Sequence, residues 1–541
     1  MVLLVASLGL SACEDKSSVH QTAANKELIT DEDTETIDYL TVVDDEPDTM
    51  DFQCTSIYYT VALTVFNRLV EMETGPDGEV QIVPALAKSW EVSEDGLNYV
   101  FHLRDGVMFS NGSPLTTSDV RYTFERLLTN PDSCNSDIVQ EIKGADALKN
   151  GETDSLEGFI PIDNLTFAVI LEEPFEAFLA CLSMPGASIL DESSTKKAGS
   201  SFGRDPETMI GTGSYILTEW DRGKGMKLVA NPNCWEGRTG SAGIEILFAT
   251  DSEEQRMMFE DGELDILDLD NLDSSAEFFI HGDIYQDRLH ETQQIAITYI
   301  ALNESVKPLD DVRVRKALQL SLDRQMLLDA VYSGRGHVEN GIFPRGLNGF
   351  NPDLPEIPYD PSEAKQLITQ AGFPNGFDLT IALKSTSNLW EKQLVQMAAE
   401  MWERIGIRVK VELMDENRFM SLRKSGELPC YCATWSADYD DPDNFIYTFF
   451  GSRQNTIYRS LCYLKDNIIK RVRRARGITD PQARIQEYQD LEELIIQEDA
   501  AWIPLFSRYH YYVAGNQVEN LEFAWNGWVS PRYRYIKLKE Q

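Results

Sequence analysis

Residues 433–450 read ATWSADYDDPDNFIYTFF. The carboxylates of Asp438, Asp440, Asp441 and Asp443 lie between Trp435 and the rings of Phe445, Tyr447, Phe449 and Phe450. A solvated acidic loop is rarely walled by so many rings, and a buried strand rarely holds so many acids. Such a group could hold a calcium ion, receive an organic cation, or serve as turn chemistry. The calcium reading fails on spacing. A calcium loop starting at Asp438 would place Pro442 at its fifth position and Asp443 where glycine is required. Asp441-Pro442-Asp443 has the composition of a turn, so Asp440, Asp441 and Asp443 are expected to be structural.

Other catalytic and metal patterns are weak. Gly199-Ser200-Ser201-Phe202-Gly203 fits G-x-S-x-G, but a polar loop precedes it and Asp205-Pro206 follows, where the nucleophile motif needs a strand and then a helix. There is no phosphate-binding loop, no H-E-x-x-H and no dinucleotide fingerprint. Six histidines, His20, His102, His281, His290, His337 and His510, include no pair at helical ligand spacing. Among 89 acidic residues some close pair is expected by chance, so paired carboxylates do not indicate glycoside hydrolysis. The expectation is no enzyme, no cofactor and no metal site.

The whole chain narrows the classes further. Its formal net charge is −41, which leaves no electrostatic footprint for nucleic acid. At 541 residues it is too long for one core, so two or three domains are expected. Residues 2–12 are apolar or small, too short for a membrane span of about 20 residues but the length of a signal-peptide core. Leu10-Ser11-Ala12-Cys13 resembles the bacterial lipoprotein cleavage box, although no Lys or Arg precedes the apolar run. Cys13 is therefore the expected lipidation site, residues 1–13 the signal peptide and 14–37 a flexible tether. Seven further cysteines remain, so at least one thiol is free or pairs between chains.

The elements that must position these residues alternate between strand and helix. A strand is expected within 38–52, ending in a Pro-containing turn, and an apolar helix over 57–72. LNYVFHLR alternates as a strand, and Thr117-Ser118-Asp119 opens an amphipathic helix. Residues 211–235 hold two strands around the turn DRGKG, and ITYIALN is a strand. Residues 310–332 have the apolar spacing of one long helix, with further helices over 362–373 and 389–407. Frequent crossovers of this kind define a mixed α/β protein.

Several blocks resemble one family. FNRLVEM (66–72), the stretch 83–127, GTGSYILTEWDRGKGMKLVANPNCW (211–235), YIALNESVKPLDDVRVRKALQLSLDR (299–324) and the opening segment occur in the order found in the family-5 solute-binding proteins of ABC importers, the oligopeptide- and dipeptide-binding group. The resemblance covers residue 38 to the end. It implies a two-lobed periplasmic-binding-protein-like α/β fold (class II, cluster C) with an extra inserted domain. Discontinuous lobe one would span 38–75, 206–300 and 505–541, the inserted domain 76–205, and lobe two 301–504. It implies a monomeric, lipid-anchored receptor at the outer face of the bacterial cytoplasmic membrane that delivers peptides to a permease and its ATPases. Oligosaccharides, metal chelates or haem are the alternative ligands on the same fold.

The resemblance also assigns the site. Peptide-binding members carry Trp-x-Ala-Asp-Tyr in lobe two, matched here by Trp435-Ser436-Ala437-Asp438-Tyr439. Asp438 would receive the peptide's α-ammonium, Trp435 and Tyr439 would wall the pocket, and the backbone from Ala433 to Ser436 would pair with the ligand main chain. Glu46, in the cleft-lining turn of lobe one, would contact ligand. The sequence departs from the family at Cys432, where oligopeptide binders carry an arginine for the peptide carboxylate.

Overall fold

The computed structural model describes residues 39–75, 78–249, 251–272, 275–527 and 531–539. The expected signal peptide, the lipidation site Cys13 and the tether lie outside the described residues. Residues from Asp38 to the C-terminus form one compact unit, two-lobed, with an inserted domain built on its own sheet.

Three sheets carry the architecture. The first joins Tyr39–Val43, Gly243–Leu247, Gly225–Ala230 and Tyr215–Asp221 in that spatial order. Its outer strand Tyr39–Val43 pairs parallel with Gly243–Leu247, although 199 intervening positions separate Val43 from Gly243 in the sequence. The inserted domain contains the second sheet, Ala87–Val92, Asn98–Leu103, Thr166–Ile170 and Phe159–Pro161, closed by the helix Thr117–Thr129. That helix starts at Thr117, where its opening was expected, on a capping box: Asp119 accepts from the Thr116 backbone N–H at 2.9 Å while Thr116 caps in return.

The third sheet is organised on one long strand, Trp502–Ala514. Ile266–Asp268, Leu289–Gln293, Gly336–Val338 and Ala296–Leu302 all pair antiparallel with it. Ala296–Leu302 then pairs along its whole length with Cys430–Ser436, and Asp378–Lys384 and Arg408–Met414 complete the sheet. Alternate residues serve two cores: Ile297, Tyr299 and Ala301 face one cluster, Ile300 and Leu302 the other. The positions 300/301 and 504/505 therefore fall inside paired strands, not in loops.

Two helix expectations change. The apolar run 57–72 forms only the short helix Thr60–Val65, and Val70–Thr74 turns into a strand paired with Val80–Pro84. The expected single helix over 310–332 is two, Val312–Leu320 and Arg324–Tyr332. Asp323 breaks it by accepting the Met326 N–H at 3.0 Å, which makes Asp323 the cap of a new helix.

Candidate functional site

Asp438 sits two residues past the strand Cys430–Ser436 and before the helix Asp443–Phe450. The connection between them is fixed at every step. The Ala437 N–H donates to the Ile295 carbonyl at 2.8 Å, and Asn526 Nδ2 donates to the Ala437 carbonyl at 3.0 Å. Asn444 closes a ring with Asp438: its Nδ2 donates to Asp438 Oδ2 at 3.0 Å and its Oδ1 accepts the Asp438 N–H at 3.1 Å.

Asp441 and Asp443 are structural, as their turn composition suggests. Arg484 grips Asp441 through two bonds of 2.7 Å, with both side chains under a tenth exposed. Asp443 accepts from Arg476 at 3.1 Å and from the Tyr488 hydroxyl at 3.1 Å. Arg476 also pairs with Glu141 at 2.5 Å, tying this loop to the inserted domain. Asp440 accepts the Asn348 N–H at 2.6 Å.

Asp438 is the exception among the four. It forms no ion pair among the described residues and borders a cavity of about 130 Å³. Its wall includes Thr60, Thr64, Asn67 and Arg68 from the early chain and Trp525, Asn526, Arg532 and Arg534 from near the C-terminus. Burial pushes the Asp438 carboxyl up to about 6; Asn444 opposes this, Asp137 adds to it and Arg459 opposes it. Burial also raises the Tyr59 hydroxyl, and the charge of Asp438 adds to that shift.

A larger cavity of about 370 Å³ adjoins the first, sharing Thr60, Pro531 and Tyr533. It is lined by Asp44, Asp45, Tyr58, Tyr59, His510 and Tyr512, among others. Thr60 Oγ1 donates to Asp44 at 2.5 Å, yet burial holds the Asp44 carboxyl above its usual range. At its edge Asp268, Asp270 and His510 bring their ligand atoms within 4.8 Å of one another. This cluster is satisfied internally: His510 Nε2 lies 2.6 Å from Asp268, and Arg508 pairs with Asp270. Burial lowers the His510 imidazole, but the two aspartates overcome it and raise it. A cationic arginine in contact opposes a divalent ion there.

The remaining candidate residues are placed as follows. Ala433 to Ser436 pair with Tyr299 to Ala296 on one side. On the other side the neighbouring strand Asp378–Lys384 reaches only Tyr431. Beyond it that edge has no strand partner among the described residues. Trp435 packs edge-on against Phe449 at 5.4 Å, and the Arg459 guanidinium lies 4.5 Å above its ring. Tyr439 does not border either cavity. It joins the core of the inserted domain, and its hydroxyl donates to Asp443 at 3.3 Å. Glu46 does not reach the cavities either. The Gly223 N–H donates to it at 3.0 Å and Arg222 lies 3.6 Å away, so Asp44, two positions earlier, holds the place in the cavity wall.

Sequence reasoning did not single out Asp44, Arg68, Asp137, Arg459 or Trp525. Arg68 lies in a block carrying the resemblance, but neither it nor Asp44 has a spacing signal. Arg459 stands in IYRSLCY, a lone charge in an apolar run, which is the one available hint. The seven described cysteines, Cys54, Cys134, Cys181, Cys234, Cys430, Cys432 and Cys462, are all free thiols.

Two lobes with an inserted domain, around a cavity bordered by a buried carboxylate, are the architecture of a solute-binding protein. Residues 81–456 match the profile of the bacterial extracellular solute-binding proteins, family 5 (middle), and the chain belongs to that family. It is 29% identical over 530 residues to heme-binding protein A of Haemophilus influenzae, covering 93% of each chain. It is 27% identical over 475 residues to the dipeptide-binding protein of Escherichia coli K12, covering 83% of this chain and 84% of the other. The fold is shared with the periplasmic binding protein DppA of Helicobacter pylori solved with the peptide STSA. That likeness has a TM-score of 0.75 at 24% identity, over 93% of this chain and 98% of the other.

Proposed function

We propose that this protein captures peptides with a free N-terminus and delivers them to an ABC permease and its ATPases. The observation that carries the reading is the Asp438 carboxylate, buried at the edge of a cavity and, among the described residues, without an ion-pair partner. A carboxylate in that position is costly to ionise alone. An ammonium brings a full charge and three donors, and charge-assisted bonds are about twice as strong as neutral ones. The unpaired edge at residues 433–436 lets an extended ligand add as a strand, which gives affinity without reading side chains. The relatives named as dipeptide-binding or solved with a peptide support the same class.

Lobe one is taken as 38–75, 206–300 and 505–541, the inserted domain as 76–205 and lobe two as 301–504. Closure then bends the strands Ala296–Leu302 and Trp502–Ala514. Cys13 is proposed as the lipid anchor at the outer face of the bacterial cytoplasmic membrane. The experiment is mass spectrometry of small molecules released on denaturing the purified protein. Peptides of a narrow length range support the reading. A haem, a metal chelate or an oligosaccharide as the retained ligand refutes it.

A further inference from the structure

We infer that the larger cavity receives an organic cation, an ammonium or guanidinium group. The inference rests on the peptide reading above, in which that group is a lysine or arginine side chain of a peptide whose N-terminus lies at Asp438.

The charges of the wall point one way. Asp44, Asp45 and Asp268 border the cavity, and no lysine or arginine does. His510, the one basic side chain of the wall, is committed to Asp268 at 2.6 Å. Among the described residues Asp44 and Asp45 form no ion pair. Asp44 is held by neutral donors, the Thr60 hydroxyl at 2.5 Å and the Asp45 N–H at 2.8 Å. Burial raises its carboxyl, and the charges of Asp45 and Asp268 raise it further. A cation seated beside it offsets both effects.

Gln255 gives an independent indication. It stands in the same wall, on the helix Ser252–Glu260, and is 3% exposed. Its Nε2 donates to the Ala249 carbonyl at 2.7 Å, which fixes the amide. Its Oε1 is buried and accepts no hydrogen bond among the described residues. A buried acceptor of this kind is costly unless a donor reaches it. An ammonium carries three donors, a guanidinium five, and neither has an acceptor, so either can meet acceptors on more than one side of a cavity. Tyr58, Tyr59 and Tyr512 add aromatic surface, against which the alkyl stem of a basic side chain packs and to which its charge is attracted.

Size divides the ligand between the two cavities. Small-molecule sites run to about 300–1,000 Å³. The cavity at Asp438, about 130 Å³, falls below that range, and the acidic one, about 370 Å³, lies within it. They meet at Thr60, Pro531 and Tyr533, so a ligand with its ammonium at Asp438 extends into the acidic cavity. Every residue of the acidic wall lies in one of the three segments taken above as lobe one. This cavity therefore needs nothing from lobe two and selects for a cation before the lobes close.

The test is titration calorimetry of the full protein with alanine di- to pentapeptides in which one position in turn is lysine, arginine, norleucine or citrulline. Norleucine and citrulline keep the shape of the two basic side chains without the charge. Cadaverine and agmatine, which carry the same cations without a peptide, form a further arm. The expected result is that at one position lysine or arginine binds more tightly than its neutral counterpart by on the order of tenfold or more, the range for a hydrogen bond to a charged group. Asp44→Asn should bring that ratio close to one. If peptides bind but charged and neutral side chains are equivalent at every position, the inference is overturned and the peptide reading survives. If cadaverine or agmatine binds and no peptide does, the cation cavity stands and the peptide reading fails. If nothing binds, both fall. The wild-type comparison needs no variant, so a folding defect in Asp44→Asn leaves the test decisive.

Discussion

Replacing Asp438 by asparagine should move affinity and stability in opposite directions. In the ligand-free protein burial pushes the Asp438 carboxyl up to about 6 from its ordinary value of 3.8. A raised carboxyl binds its proton more tightly folded than unfolded, so its contribution is favourable below the unfolded value and is lost as pH rises through about 6. At pH 7 the ionised group is a liability of up to about 3 kcal/mol, discounted to about 1–2 kcal/mol because the side chain keeps some contact with water. Asparagine is close to isosteric and its carbonyl oxygen can still accept from Asn444 Nδ2, so the ring with Asn444 survives. The ligand-free variant should therefore melt a few degrees higher at pH 7, and the gain should vanish near pH 4. Peptide affinity should fall by roughly 10- to 150-fold, the loss of a charged hydrogen bond of about 1.5–3 kcal/mol. Differential scanning fluorimetry across pH 4–8, paired with titration calorimetry, reads both quantities. A variant that melts lower at pH 7 and binds peptide unchanged would show that Asp438 is a structural carboxylate and remove the basis of the proposed site.

The same titration predicts that peptide affinity falls with acid: from pH 7 to pH 5 the ionised fraction of a carboxyl at about 6 drops about tenfold, and the dissociation constant should rise in step. A flat affinity over that range would contradict it. Asp441→Ala should cost about 3–5 kcal/mol in chemical denaturation, because it strands Arg484 in the core without its partner; a loss under 1 kcal/mol would mean the pair is solvated. Asp323→Ala should cost about 1 kcal/mol by removing the cap of the helix Arg324–Tyr332, with peptide binding unaffected.

The fold was legible wherever periodicity was strong. The strands around DRGKG and the strand ITYIALN lie within or close to the ranges expected, because alternation and turn residues specify them locally. The break at Asp323 was hidden because apolar spacing continues across it; only the capping role of the aspartate reveals the stop. The run 57–72 looked helical because it is mostly apolar, which a buried mixture of helix, loop and strand satisfies equally. At the site, the roles of Asp441 and Asp443 were readable from turn chemistry. Their arginine partners, Arg484 and Arg476, are 43 and 33 residues downstream and no local pattern links them. Glu46 was read from the resemblance to a cleft-lining turn, and only the chain path puts Asp44, two residues earlier, in the cavity wall.

The loop bearing Asp438 rests on a foundation of two arginines, two aspartates and two asparagines, to which the Asp438 side chain adds only its bond from Asn444. Anchoring and recognition are thus assigned to different side chains of one short segment. Because the foundation is already rigid, a ligand spends little of its interaction energy ordering the loop. The division also has an evolutionary reading. Residues facing the cavity can be exchanged one at a time without undermining the loop, so specificity can drift while the support persists. The segment 437–444 with Arg476 and Arg484 is accordingly a transplantable unit. Grafted onto a related two-lobed scaffold, it should carry its shape intact and leave the recipient's own cavity wall to choose the ligand.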